Sequence, residues 1–454
     1  MEDRKYAVGL DIGTTKIVAM IGAYNEYNKL EILGVGKTKS QGVKRGVVNN
    51  ISQTINSIEI AVKEAETHSG LKVEEVTVGI AGKHIRSLQH QDYILRDNPE
   101  EVIDQKDIEQ LCDKVQSIVL MPGEAIIHVL PQTYKVDGQD DITEPVGMYG
   151  GRVDARFIVI VGQLVQIKNI YRCVEAAGLK VRDITLEPIA SSEAVLQDEE
   201  TEAGVALIDI GGGTTDIAIF KDNMIQHSAV LPFGGKIITE DIKEGCSIIE
   251  KMAEQLKVKF GSAHPENNSE NVVVAIQGMH GRPAKEISTL NLAQIINARM
   301  EEILALAYRE IDLYLEADQR RKLVSGVVIT GGGALLKHLV QVVEYRMRMD
   351  TRIGLPNEHL QGDMHEELAS PIYSTSVGLV MRALKNQADD EERAREEALI
   401  SEPIAPTPDP AVISDSLETE PEQPEEPFVP QPTKSKRGIM KYFDQFKRML
   451  DDAE

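Results

Sequence analysis

The sequence predicts an α/β protein of two similar halves, followed by an unstructured acidic linker and a short amphipathic end. Three observations predict it. From residue 4 to about 386, β-branched runs alternate with helical patterns across Gly-rich turns. Residues 6–20 (YAVGLDIGTTKIVAM) recur as residues 205–219 (VALIDIGGGTTDIAI): an apolar strand, Asp-Ile-Gly, a Thr-Thr turn and a second strand. Beyond about 386 the alternation stops. A duplicated unit of this size implies two domains facing each other, with one turn from each aimed at a shared cleft.

Composition narrows the class. A length of 454 residues with 42% apolar content supports roughly three compact units of ~150 residues. The net charge of −24 makes non-specific nucleic-acid binding a poor expectation. Three cysteines (Cys112, Cys173, Cys246) without a CxxC pair exclude a disulfide framework and a zinc ribbon, and a reducing cytoplasm fits. The opening MEDRKYAVGLDIG lacks the apolar stretch of a signal peptide. The densest apolar run, Phe157 to Val165, has strand length and falls short of the ~18 residues a membrane-spanning helix needs. Integral insertion is therefore not expected; attachment at a membrane surface stays open.

Along the chain, residues 51–65 carry Ile51, Ile55, Ile58, Val62 and Ala65 at helical spacing, with Asn50 as the cap and Gly70 as the stop. Gly36-Lys37-Thr38 mimics the end of a P-loop, but Glu31 stands where its first glycine belongs, so a strand end is the better reading. The ten histidines show no ligand spacing, and no GxSxG elbow occurs. Leu290 to Leu315 forms a helical pattern with Ile295, Ile296, Ile303 and Leu304 inward and Arg299 on another face.

The turns carry the chemistry. A hairpin turn rich in Gly and Thr gathers backbone N–H groups and hydroxyls at one point, and such a concavity binds phosphate oxygens without a lysine-rich patch. Glycine is needed where the backbone closely approaches the anion. Asp11 and Asp209 end their strands beside those turns, where a carboxylate can hold a hydrated magnesium ion that bridges phosphates. DIGTTK alone also fits an ordinary polar hairpin; paired with the three glycines of DIGGGTTD it reads as a phosphate site. A third cluster, VVITGGGA (residues 327–334), follows an apolar strand and opens the helical pattern Leu335 to Val343. It suits a base or ribose packed at a helix N-terminus, or a purely structural turn.

The last segments differ in kind. Residues 389–434 hold 14 Asp/Glu and 3 Lys/Arg, and nine of the 19 prolines lie between 403 and 432. Such a stretch cannot bury enough apolar area to order itself and reads as a disordered linker, reaching on the order of 35 to 40 Å as a flexible coil. Residues 435–454 read as an amphipathic helix. At 100° per residue Ile439, Phe443, Phe446 and Leu450 share an arc of about 60°, with Tyr442 and Met449 beside it and Met440 flanking. Lys436, Arg437, Lys441, Lys447 and Arg448 flank or oppose that face, the composition of an interfacial helix on anionic lipid or of a helix docked in a protein groove.

DIGTTK, Glu187-Pro-Ile-Ala190, DIGGGTTD, VVITGGGA and Tyr373-Ser-Thr-Ser-Val-Gly378, in this order, resemble the phosphate 1, connect 1, phosphate 2, adenosine and connect 2 motifs of the actin, Hsp70 and sugar-kinase superfamily. The resemblance spans residue 6 to about 386. It implies two lobes of ribonuclease-H-like fold with ATP and magnesium between them. Asp11, Gly13, Thr14, Thr15 and Lys16 would meet phosphates from lobe one, and Gly211, Gly212, Gly213, Thr214 and Thr215 from lobe two. Gly234 and Gly235 would border the nucleotide, Gly331, Gly332 and Gly333 would meet the nucleoside, and Asp11 and Asp209 would share the metal. Glu187, by likeness to the Hsp70 motif, would orient an attacking water; as a first-turn helix carboxylate it is equally well explained by the helix dipole.

Within that superfamily the sequence resembles the FtsA family of bacterial cell-division proteins. An insert between about 84 and 162, Gly234-Gly235 followed by Thr239-Glu-Asp-Ile242, and a linker with an amphipathic tip carry the likeness. It implies lobe one at 1–83 with 163–195 and about 370–388 returning, the insert at 84–162, and lobe two at 196–369 with a partner-binding subdomain. It further implies a homopolymer on the cytoplasmic side of the membrane at the division site, held there peripherally, that tethers an FtsZ-like tubulin homologue and meets other division proteins. Enzymatic activity would amount at most to slow ATP hydrolysis. Arg299 would suit the partner's acidic tail, or be a solvated helix charge. Rival readings are a sugar-kinase-like phosphotransferase and an adaptor like the pilus protein PilM, which is similar in the core but lacks the membrane tip.

Overall fold

A computed structural model describes residues 5–266, 272–277, 283–316, 322–357, 359–361 and 367–401. Residues 1–397 form one compact unit; of the second, 398–454, the described residues are the helical 398–401.

The first half opens with β1 (Ala7–Ile12), β2 (Lys16–Tyr24) and β3 (Leu30–Lys39), an antiparallel meander, then the small pair β4 (Val43–Lys44) and β5 (Val47–Val48). Gly36-Lys37-Thr38 lies within β3, as a strand end. Helix α1 (Ile51–Ser69) follows, capped by the Asn50 side chain accepting from the Gln53 N–H and ended by Gly70 at φ 70°. Its buried face carries Ile58, Val62 and Ala65, the spacing a helix needs to pack on a sheet. Strand β6 (Glu75–Ile80) then joins β1 in parallel.

The chain next leaves for a separate antiparallel sheet. It comprises β7 (Ile85–Leu95), helix α2 (Gln105–Val115), β8 (Glu124–Val136), β9 (Gln139–Ile142) and β10 (Arg152–Gln163), with strand order β7-β10-β8-β9. Successive side chains of a strand point to opposite faces, and β10 uses both. Phe157, Val159 and Val161 fill the insert's own core with Ile108, Leu111 and Val115 of α2. Ile158 and Ile160 enter a second core that also holds Leu207, Ala218 and Phe220 from the other half. The Ser87 hydroxyl donates to the Ser228 carbonyl (2.6 Å) and the Gln132 amide to the Gln226 carbonyl (3.1 Å), so the insert touches both halves. Helix α3 (Leu164–Ala176), β11 (Lys180–Leu186) and helix α4 (Glu187–Val195) return to the first half, whose sheet order is β11-β6-β1-β2-β3.

The second half repeats the plan. After helix α5 (Asp198–Ala203) come β12 (Val205–Ile210), β13 (Thr215–Lys221) and β14 (Met224–Leu231), again an antiparallel meander. Helices α6 (Gly235–Gly245) and α7 (Glu250–Phe260), the hairpin β15 (Val273–Ile276) and β16 (Lys285–Ser288), and helix α8 (Thr289–Glu316) follow. Strand β17 (Val327–Thr330), helix α9 (Leu339–Met347) and β18 (Thr351–Ile353) complete it, and helix α10 (Ser374–Ser401) then packs on the first half, with Leu379 and Val380 against Gly9. Its sheet order, β14-β13-β12-β17-β18, matches the first: three antiparallel strands, then two added in parallel. The repeated sequence is thus a repeated structure, with β1 and β12 in equivalent central positions, each buried along its whole length as strands covered on both faces must be.

Two sequence expectations shift. The glycines after β17 form a 3-10 turn, Gly332–Leu335, and the helix begins at Leu339 rather than Leu335. Helix α10 runs through 389–401, where composition predicts linker, because Glu, Arg and Ala there are strong helix formers. Its flank is tied down as well: Asp390 pairs with Arg182, and Glu391 with Lys5. The rest of the linker and the segment with Lys436, Arg437, Ile439, Phe443 and Leu450 lie outside the described residues. Among the described residues no helix is long and apolar enough to cross a membrane.

Candidate functional site

The two hairpin turns meet. A Cβ added at Gly213 would stand 2.3 Å from the Thr14 hydroxyl, and one at Gly212 would stand 2.4 Å from Thr15 Cγ2, so glycine is what lets the second turn approach the first. Each turn is held from behind. The Gly46 N–H donates to Thr14 Oγ1 (3.1 Å), and the Thr215 hydroxyl donates to the Phe233 carbonyl (2.8 Å). At the N-terminus of α6, Gly235 N and Lys236 N donate to the carbonyls of Gly211 (2.9 Å) and Gly212 (2.8 Å). The Gly234-Gly235 pair is thereby packed on the second turn, and Lys257 donates to the Gly235 carbonyl (2.8 Å), to Thr239 and to Glu254.

Beneath the turns lie the acids. Asp11 and Asp209 are buried near the ends of β1 and β12, and Asp216, also buried, is the register partner of Asp209 across β12 and β13. The start of α10 joins them: the Thr375 hydroxyl donates to Asp209 (3.2 Å) and the Ser376 hydroxyl to Asp11 (3.4 Å). Lys16 sits 3.6 Å from Asp11 and donates to the Ile372 carbonyl (2.6 Å). Its ammonium and that of Lys37 each lie 5.1 Å from the centre of the Tyr373 ring. Gly331, at φ +80°, lies directly against Asp209: a Cβ there would stand 2.3 Å from Oδ1.

Electrostatics of the cluster follow from crowding. Burial pushes the Asp209 carboxyl up to about 6, with Asp11 adding repulsion against the hydrogen bonds of Thr375 and Ser191. Asp216 is pushed up to about 8 by burial and by Asp209, and its Oδ1 has no hydrogen-bond partner among the described residues. Glu187, the first residue of α4, is raised well above the usual carboxylate range by burial and by Asp11, Asp216 and Asp209, with Lys16 opposing. Burial lowers Lys16 while Asp11 holds it up. Four carboxylates outnumber Lys16 and its neighbour Lys37, an arrangement that favours a hard divalent cation with oxygen ligands. Among the described residues no three acidic, His or Cys side chains are close enough to ligate one ion directly. Magnesium held by one or two carboxylates, waters and phosphate oxygens is the mode that fits.

The structure therefore brings Asp11, Gly13, Thr14, Thr15, Lys16, Glu187, Asp209, Gly211 to Thr215, Gly234, Gly235 and Gly331 to one place. Asp216, Thr375, Ser376 and Ser191 belong there too. Thr375 and Ser376 lie in the motif Tyr373 to Gly378, whereas nothing local in the sequence singles out Ser191 or Asp216 beyond the hairpin register of DIGGGTTD, which sets Asp216 opposite Asp209. Gly333 packs on Ile210. Arg299 is not part of the cluster. Its guanidinium forms a bidentate pair with Asp241 of α6 (2.6 and 3.0 Å) and reaches Glu302 (2.5 Å), so it holds α8 to α6.

Comparison with known proteins completes the description. A family model described as cell division protein FtsA matches residues 206–378, and one described as the SHS2 domain inserted in FtsA matches residues 82–161. The chain is 36% identical to the cell division protein FtsA of Pseudomonas aeruginosa over 390 residues, 86% of this chain and 92% of that one. It is 34% identical to that of Escherichia coli (strain K12) over 383 residues, 83% of this chain and 90% of the relative. Among solved structures, one described as a PilM-PilN type IV pilus biogenesis complex aligns with a TM-score of 0.60 and 15% identity, covering 84% of this chain and 99% of that chain, a likeness of fold.

Proposed function

The chain belongs to the FtsA family of cell division proteins and has an actin-like fold; on that premise we propose that it binds ATP with magnesium between its duplicated turns, polymerises on the inner face of the cytoplasmic membrane, and tethers filaments of an FtsZ-like tubulin homologue there. The observation that carries the nucleotide part is the buried cluster of Asp11, Glu187, Asp209 and Asp216 beneath two facing glycine turns. Magnesium bound there would supply the positive charge that four crowded carboxylates and a polyphosphate both require.

The chain's own groups would do the rest. Backbone N–H groups and the hydroxyls of Thr14, Thr15 and Thr214 would meet phosphate oxygens, and Lys16, with Lys37 near it, would add positive charge. Because the turns are in contact, nucleotide entry requires them to part, and α4 and α10, whose first turns carry Glu187, Thr375 and Ser376, are where the halves would flex. Glu187 would orient water as a proton acceptor. Burial and the neighbouring carboxylates raise its affinity for a proton, so its action as a base depends on compensation of that charge.

Membrane attachment rests on the segment from Lys436 to Leu450, whose apolar face and basic flanks suit anionic lipid. Partner contact at the Arg299 surface of α8 would have to compete with Asp241 and Glu302. The nucleotide part is tested by equilibrium binding. Asp209→Ala should lower Mg·ATP affinity at least tenfold while the strand cores survive, and a folded variant that binds Mg·ATP as tightly as the parent defeats the assignment.

A further inference from the structure

We propose that His128 is a positioning residue of the nucleotide site: from the inserted sheet it holds the first turn of α4, and with it Glu187, in place. The inference rests on the reading of Glu187 given above and concerns what fixes that side chain.

Glu187 opens α4 with Leu186 as its cap residue, and no side chain caps this helix from within. Pro188 at the first turn removes one donor, which makes the backbone just before the helix the remaining handle on its entry angle. That handle is taken from outside. The Leu186 N–H donates to Nε2 of His128 on β8, at 3.0 Å. An N–H can only donate, so Nε2 is the unprotonated nitrogen and the proton sits on Nδ1. Burial, helped by Arg382, pushes the imidazole down to about 3, which keeps the acceptor available at any working pH.

The first turn of α4 is packed through buried Pro188 and Ile189, while the other polar contacts of the helix bear on its middle and far end. Arg382 of α10 pairs with Glu193 at the far end (2.6 Å). Gly378 of α10 lies against the middle, where a Cβ would stand 1.7 Å from the Ala190 carbonyl oxygen. Ser191 donates back to the Glu187 carbonyl (3.1 Å), within the helix itself. The His128 bond is the contact that ties Leu186 to a different sheet, and that sheet is anchored to the second half through Ser87–Ser228 and Gln132–Gln226. A load on the insert thus reaches Leu186 and the side chain that follows it, and the insert becomes part of the site's scaffold.

Three full-length variants test this. His128→Leu keeps bulk and removes the acceptor, His128→Gln offers an oxygen in its place, and Glu187→Gln reports on the carboxylate itself. Mg·ATP affinity, the turnover rate at saturating Mg·ATP, and amide hydrogen exchange over residues 186–190 are measured for each. The expected result is a turnover loss of about tenfold in His128→Leu with affinity within twofold of the parent, faster exchange confined to 186–190, and recovery of both in His128→Gln. A loss that His128→Gln does not recover, or that lowers affinity and turnover together, marks a merely structural residue and overturns the proposal. So does turnover equal to the parent in His128→Leu where Glu187→Gln is impaired. If Glu187→Gln turns over like the parent, the water-orienting reading of Glu187 fails instead. If the parent itself does not turn over ATP, the exchange comparison decides: unchanged protection of 186–190 in His128→Leu overturns the proposal.

Discussion

Asp216 must give up its proton at about pH 8 in the folded chain, against about 3.8 for an ordinary aspartate, because it is buried beside Asp209. Below about pH 4 the group is neutral folded or unfolded and costs nothing. As pH rises from there through about 8, the unfolded chain ionises freely while the folded chain resists, so the metal-free protein loses stability across that window. Magnesium needs the ionised carboxylates, and its binding therefore strengthens as pH rises from about 6 to about 8. Thermal unfolding with and without Mg·ATP should show a stabilisation that grows over this range, and Asp216→Asn should flatten the growth. An identical pH profile in Asp216→Asn would remove Asp216 from the linkage. At this scale the sequence is legible where chemistry is local: Asp11, Lys16 and Asp209 lie within a few residues of their turns. Glu187 joins Asp11 only through the fold, and the ion pair of Arg299 with Asp241 spans two helices that no spacing rule connects.

Helices α4 and α10 cross at Gly378, and the closeness of that crossing sets the next expectation. Any Cβ there would overlap the Ala190 carbonyl, so Gly378→Ala must push apart the two elements that carry Glu187, Thr375 and Ser376. A loss of about 3 kcal/mol in denaturant unfolding is expected, together with weakened Mg·ATP binding. A variant as stable as the parent would show that the crossing yields without cost. Helices such as α1 are readable in advance because cap, apolar spacing and stop agree. The start of α9 is not: Gly332–Leu335 forms a separate 3-10 turn, and His338, in left-handed backbone at φ 63°, restarts the chain as a helix. The prolonged α10 shows composition failing in the other direction, because charge density alone does not prevent a helix rich in Glu, Arg and Ala. The terminal segment gives the matching prediction for an element outside the described residues: Phe443→Glu places a charge in the apolar arc and should abolish pelleting with anionic liposomes. Undiminished pelleting would assign that arc to a protein groove.

Across the whole molecule, duplication is the organising fact, and two matching sheets place two matching turns face to face. The sequence repeat announces that plan because the strand, turn and strand of the motif recur, while the matching order of parallel additions shows only in the fold. The insert's role as a tie between halves is hidden, since the continuous apolar run from Phe157 to Val161 marks a strand buried on both faces without saying which cores it enters. For membrane attachment, about five large side chains half buried at ~25 cal/mol per Å² give a gross gain of roughly 5 kcal/mol, opposed by ordering of the tail. One tail should therefore exchange readily, and a polymer, by holding neighbouring tails at high effective concentration, should bind firmly. A core unable to polymerise but bearing the native tail should pellet much less at equal concentration; equal pelleting would mean that a single tail suffices. The most direct test of the proposed tethering is co-sedimentation of FtsZ-like filaments with anionic liposomes in the presence of Mg·ATP. With the full chain the filaments should pellet with the lipid, and with a chain lacking residues 435–454 they should stay in the supernatant. Filaments that reach the lipid equally well with the truncated chain would contradict the account.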